Sequence, residues 1–333
     1  MTILTSPHDL LSAIPFLVGF QPSDSIVLIS LRDEVVDSAI RIDFPEQFTK
    51  QDLSKLCTHI KHTGCDGVIV AFYLPPEKDE LNPVINDIHE ELISSKIEIR
   101  ESLVIKGDRW RSLLCRDLQC CPIEGLPTPI LEDSQIAAEQ VALGKPLPFQ
   151  NAAAMSASIS ALPMDEELGR LISEIPEIDY SGDVVALQKQ GAEAVIDFIA
   201  DFAADGVCRD KKLIALVLVR LKDLQVRDFA LGSVTEDTLD IYFNAWRWLL
   251  RLAPEGYVAP LANLFAAVAY EKGDGALAHR ALDRAVIDDR NYAMTDLLRQ
   301  VFSSGWPTDS FARLRAELHP RICDALFSGS MNS

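Results

Sequence analysis

The chain has 333 residues, of which 48% are hydrophobic and 24% charged, so it can bury large cores yet exceeds the usual size of one domain. A formal net charge of −19 repels phosphate backbones and argues against nucleic-acid binding, which needs clustered Lys and Arg. The longest aliphatic run, LIALVLV at 213–219, is far short of the roughly 20 residues that span a bilayer, so no membrane segment is expected.

In chain order, Ser6 and Pro7 read as the cap and first turn of a helix through Leu17, broken by GFQPS at 19–23. The leading segment carries His8 and Asp9 and lacks a basic start, which argues against a secretion signal and for a cytoplasmic protein. SIVLISL (25–31) and VVDSAIRIDF predict a hairpin around a polar turn, and Asp24-Ser25 reads as an Asx-type turn rather than as a nucleophile site. Thr49 caps a helix with Leu53, Leu56, Cys57 and Ile60 on one face, stopped by Gly64. GVIVAFYL (67–74) lacks polar alternation and predicts a central strand. A helix over about 79–95 follows, with Leu81, Ile85, Ile88 and Leu92 inward; its HEELI lacks the second histidine of a zincin helix. IEIRESLVIKG and RWRSLLC predict two further strands. The alternation gives a three-layer α/β domain with a mixed sheet over 1–145, with ligands expected off the carboxyl ends of its parallel strands.

Residues 146–163 read as a linker, and 164–330 as an all-α array of helical hairpins, with breaks at Gly206, Gly232, Pro254 and Gly273. Trp246, Trp248 and Leu249 fall on a helical stripe and read as core. Gly273-Asp274-Gly275 reads as a turn between packed helices rather than a phosphate cradle.

RWRSLLCRDLQCCPIEGLP (109–127) concentrates the chemistry: it holds three of the seven cysteines. An odd number of scattered cysteines does not form a disulfide framework, so they are read as thiols. Cys115, Cys120 and Cys121 are the candidate catalytic residues. Lys106, Arg109, Arg111 and Arg116 make a basic island that would lower a thiol pKa or hold a small anion, with Arg109, Trp110, Arg111 and Glu124 as ligand-binding candidates. The plainer reading is structural, with cysteines filling core gaps, Trp110 packing, and arginines paired with acids such as Glu124. No cofactor is expected. Zinc on the three cysteines is a minor alternative, because adjacent Cys120 and Cys121 do not easily face one ion and a fourth ligand would have to come from Cys65 or His62.

Two resemblances add to this. Residues 262–291 resemble a tetratricopeptide unit, with Lys272-Gly273-Asp274 at the inter-helix turn, Ala278, Leu282 and Ala285 on the second helix, and Asp289 and Asn291 closing it. LLSAIPFLVGFQPSDSIVLISL, the motif at 109–127 and GDGALAHRALDRAV together resemble an actinobacterial family of unknown function. In that family the positions of Gln21, Arg111 and Leu113 often hold His or aromatic residues, so this chain departs there. The resulting expectation is a protein-interaction or scaffold protein with a protein partner; the alternative is a small-anion-binding protein or thiol-dependent enzyme using the 109–125 loop.

Overall fold

A computed structural model describes residues 6–327 apart from 63 and 183. The chain divides into two compact units, 1–155 and 156–333.

The first unit opens with α1 (Pro7–Val18): Ser6 Oγ accepts from Asp9 N–H at 3.1 Å, and Gly19 ends the helix at φ +83°. β1 (Ser25–Arg32) and β2 (Val35–Asp43) form the expected hairpin, turning at Asp33 and Glu34, both at positive φ. α2 (Lys50–His62) begins after Thr49, whose hydroxyl takes Asp52 N–H, and Gly64 follows its end at φ +70°. β3 (Gly67–Tyr73) is central and buried. α3 (Pro83–Ser94) starts later than its periodicity suggests, because Asn82 caps it and Pro83 occupies the first turn. Leu81, expected on the inner face, lies in the preceding turn and is 81% exposed.

β4 (Ile99–Lys106), β5 (Arg109–Ser112) and β6 (Leu126–Pro127) complete a sheet of order β2-β1-β3-β4-β5-β6. Only β3 and β4, joined by the α3 crossover, run parallel. Strand alternation sends Ile26, Leu28, Val70 and Phe72 into a core with α2 and α3, and Val27, Ile29, Ala71 and Tyr73 into a second core with α1. This is the three-layer α/β arrangement with a mixed sheet. α4 (Gln135–Ala142) and α5 (Ala152–Ala157) follow.

The segment read as a linker is tied down by hydrogen bonds. Phe149 N–H donates to Gly19 O and Phe149 O accepts from Gln21 N–H within the first unit, while Leu162 N–H donates to Arg251 O within the second.

The second unit is helical: α6 (Glu166–Glu174), α7 (Val184–Asp205), α8 (Lys211–Arg220), α9 (Leu224–Gly232), α10 (Leu239–Leu252), α11 (Val258–Glu271), α12 (Gly275–Asp288), α13 (Ala293–Ser303) and α14 (Thr308–Phe327). Between the expected breaks at Gly206 and Gly232 the chain makes two helices, because Asp223 accepts Gln225 and Val226 N–H and restarts it as α9. α11 is buried from Val258 to Ala269 and pairs with α12 across the Lys272-Gly273-Asp274 turn; Asp274 caps α12 through Leu277 N–H. Ala278, Leu282 and Ala285 are buried as expected, and Trp246 is fully buried, stacked on Phe198 at 5.8 Å.

Candidate functional site

The loop between β5 and β6 is built from local turns. Ser112 ends β5 because its hydroxyl accepts Leu114 and Cys115 N–H, each at 3.1 Å, while donating to Glu101 Oε1 at 2.7 Å. Asp117 then folds the next segment: its carboxylate accepts Gln119 N–H at 2.8 Å and its carbonyl accepts Cys121 N–H at 2.8 Å. Gly125 N–H closes on Pro122 O, and Gly125 sits at φ +75° with Trp110 O 3.0 Å from where a Cβ would be, a position that only glycine takes without strain.

These turns bring Cys115, Cys120 and Cys121 together, with all three sulfurs within 4.8 Å of one another and the Cys120 and Cys121 sulfurs 4.0 Å apart. Adjacent Cys120 and Cys121 thus place their sulfurs near each other and near Cys115. Zn–S bonds of about 2.3 Å in a tetrahedron put sulfurs about 3.8 Å apart, so the cluster needs less than about 1 Å of contraction to close on one ion. Cys121 is buried, Cys115 half-buried and Cys120 exposed, which leaves one side of the cluster open. All seven cysteines are thiols. Cys65 is not in the cluster; its thiol donates to Ile60 O at the end of α2. The His62 side chain lies outside what the structure describes.

Three of the four cations of the basic island are engaged away from these thiols. Arg109 donates to the carbonyls of Gly125 (2.5 Å) and Glu124 (3.5 Å), so its partner in Glu124 is backbone and not the carboxylate expected. Arg111 Nε lies 2.6 Å from Glu80 Oε2, an ion pair too bent to count as a hydrogen bond. Lys106 donates to Lys78 O, and Arg116 is exposed. The neighbouring Cys121 and Cys115 thiols push Cys120 up to about 11, first by hydrogen bonding and then by the repulsion a second thiolate would meet. As a bare thiol Cys120 is a poor nucleophile at neutral pH.

The four ligand-binding candidates do converge. Arg109, Trp110, Arg111 and Glu124 line one open cleft of about 290 Å³ together with Asp79 and Glu80. Trp110, however, is 5% exposed, packs in the α1-side core and donates from its indole to Pro127 O at 3.1 Å. The cleft's cations already have partners and its acids face the same space, so its charge is mixed.

Because β5 runs antiparallel to β4, the cysteine loop departs beside Ser102, where Leu113 N–H donates to Ser102 O at 2.7 Å. That is toward the amino end of β4, not the carboxyl end at which ligands were expected. Sequence reasoning missed Ser112, Glu101 and Asp117 as the residues that shape the loop, and Glu80 as the partner of Arg111. The Ser-x-x-Cys and Asp-x-Gln spacings were the available signals for the turns. Glu80 had none, since it lies 31 residues away.

Among the other candidates, Ser25 is fully buried next to Asp24, which takes φ +43°, and His89 of HEELI lies 2.9 Å from Ser102 Oγ. Among the described residues no helix is long and apolar enough to cross a membrane.

The family described as Domain of unknown function (DUF4192) matches residues 7–309, which takes in both units. Neither the curated proteins nor the solved structures yield a significant match.

Proposed function

We propose, for a chain that belongs to the DUF4192 family, that its α/β unit is a metal-binding module in which Cys115, Cys120 and Cys121 hold one thiophilic ion of the zinc class. The observation that supports this reading is the convergence of the three sulfurs within 4.8 Å from a loop whose turns are each closed by hydrogen bonds. Three sulfurs fill three corners of a tetrahedron, and the exposed side at Cys120 leaves the fourth for water or an incoming ligand. A cation also answers the raised Cys120 thiol, because it stabilises the thiolate form that the neighbouring cysteines disfavour.

The test is elemental analysis of protein purified without chelator. One zinc per chain, lost in Cys115→Ser and Cys120→Ser and kept in Cys65→Ser, is the expected result. Protein that is metal-free and takes up neither zinc nor cobalt, or that joins two of these cysteines in a disulfide, refutes it.

A second reading concerns the helical unit as the part that binds a protein partner. It is supported by large apolar side chains left in solvent on successive helices: Ile287 on α12, Leu297 on α13, and Leu314 and Leu318 on α14. Cross-linking of the full chain in cell extract, with a partner's cross-links mapping to α12–α14, supports this. Cross-links confined to the α/β unit count against it.

A further inference from the structure

The cleft at the β4–β5 hairpin meets the position rule that the cysteine loop fails. Leu74, which directly follows β3, and Val104 and Lys106 of β4 line it, so it lies at the carboxyl ends of the parallel pair. The register sets Val104 against Arg111 and Lys106 against Arg109. Strand alternation then puts all four side chains on one face, the face on which Val104 and Leu74 join the core with α2 and α3. The loop between β3 and α3 lines the same cleft with Asp79 and Glu80, and the loop before β6 lines it with Ile123 and Glu124.

Groups of both signs keep free valences here. Glu80 engages only Nε of Arg111, which is buried against it; Nη1 and Nη2 stay accessible and make no hydrogen bond among the described residues. Those two nitrogens are a fork that can grip a carboxylate by two parallel bonds. Arg109 spends only Nη1, on two carbonyls, and Lys106 makes one bond, to Lys78 O. On the acidic side, Glu124 is exposed and its carboxylate has no partner among the described residues. Asp79 accepts Leu81 N–H on Oδ1 and keeps Oδ2.

The balance of charge selects the ligand. Three cations share the cleft with three acids, so a phosphate-like anion meets as many repelling groups as attracting ones, and so does a simple amine. An uncharged molecule would cover both signs and desolvate them without return. A zwitterion answers both at once, with its carboxylate on the arginine fork and its ammonium on the acids. Leu74 and Val104 are buried, while Ile123 is 69% exposed at the wall, so an apolar side chain covers Ile123 when it enters. At interior packing density of about 0.75, the space of about 290 Å³ holds a molecule of roughly fifteen heavy atoms.

We infer that this cleft binds a free α-amino acid with an apolar side chain, its carboxylate held by Arg111 and its ammonium by Glu124. Leucine, methionine and phenylalanine are the probes, and binding to the full chain is followed by calorimetry. 4-Methylpentanoate and isoamylamine, which each carry one of leucine's two charges, are the controls. One-to-one binding of at least one amino acid is expected, with both controls weaker by tenfold or more. Arg111→Lys keeps a charge for Glu80 but loses the fork, and Glu124→Gln alters an exposed group; each should weaken binding tenfold or more, and Glu124→Gln should melt as the parent does. The inference is overturned if none of the three amino acids binds, if either control binds as tightly, or if either variant binds as the parent does. Competition by inorganic phosphate would also overturn it, by showing a plain anion site.

Discussion

Arg315 and Glu271 form an ion pair with side chains only 5% and 6% exposed. Arg315 Nε and Nη2 donate to the two carboxylate oxygens at 2.7 and 2.9 Å, and Nη1 donates to the carbonyls of Leu231, Gly232 and Val234 at the end of α9. One guanidinium thus joins α9, α11 and α14 and satisfies carbonyls that a helix end leaves open. Glu271→Ala strands the cation in a dry site, and removing one partner of such a pair costs about 3–5 kcal/mol. The three carbonyls still face the guanidinium, so the lower half of that range is expected. For a unit of this size each kcal/mol moves the melting temperature by about 2–4 °C, which gives a loss of roughly 6–16 °C. Far-UV circular dichroism of the full chain, dominated by the helical unit, is the assay. Glu271→Leu with Arg315→Met should recover most of the loss, because two apolar side chains leave no charge behind. A loss for Glu271→Ala below about 1 kcal/mol, the value of a solvent-exposed pair, would refute the reasoning by showing that water reaches the site.

Gly232→Ala should destabilise by about 1–3 kcal/mol, since a Cβ there would lie 2.4 Å from His319 Nδ1 and the imidazole is hemmed in by Phe229 and Cys323; an unchanged thermal melt would disprove the tight packing. His89, His279 and His319 all have pKa values lowered from 6.5 by burial, so below that pH the unfolded chain binds more protons than the folded one and stability falls; urea midpoints should drop between about pH 7.5 and about pH 5.5, and a flat profile would count against neutral burial. Because the Cys120 thiol is raised to about 11, an ion must displace protons to bind, so zinc affinity should fall by about tenfold or more per unit of pH lowered from 8 to 6; a pH-independent affinity in a competing chelator would exclude these thiols as ligands.

Local chemistry carried much of the fold. Ser6-Pro7, Thr49 and Gly64 marked helix ends that the structure has, because capping is decided within about four residues. The same chemistry at Asn82-Pro83 was overridden in the reading by the periodicity of Leu81, which lies in a turn. The candidate site was legible as a place but not as a geometry: the cysteines were found, while their convergence depends on Ser112 and Asp117 turns that spacing alone does not orient.

What the amino-acid order determined is what depends on near neighbours and on periodicity: the alternation of β1 to β5 with α2 and α3, the all-helical second unit, the turn at Lys272-Gly273-Asp274 and the burial of Trp246. Tertiary structure alone decided that β5 runs against β4, which carries the cysteine loop toward the amino end of that strand, and that Arg111 pairs with Glu80. It alone left the Tyr73 hydroxyl buried without a partner among the described residues. Each of these outcomes rests on side chains brought together from distant parts of the chain, and a hydrogen bond or ion pair forms on distance and angle, neither of which a local pattern of residue types contains.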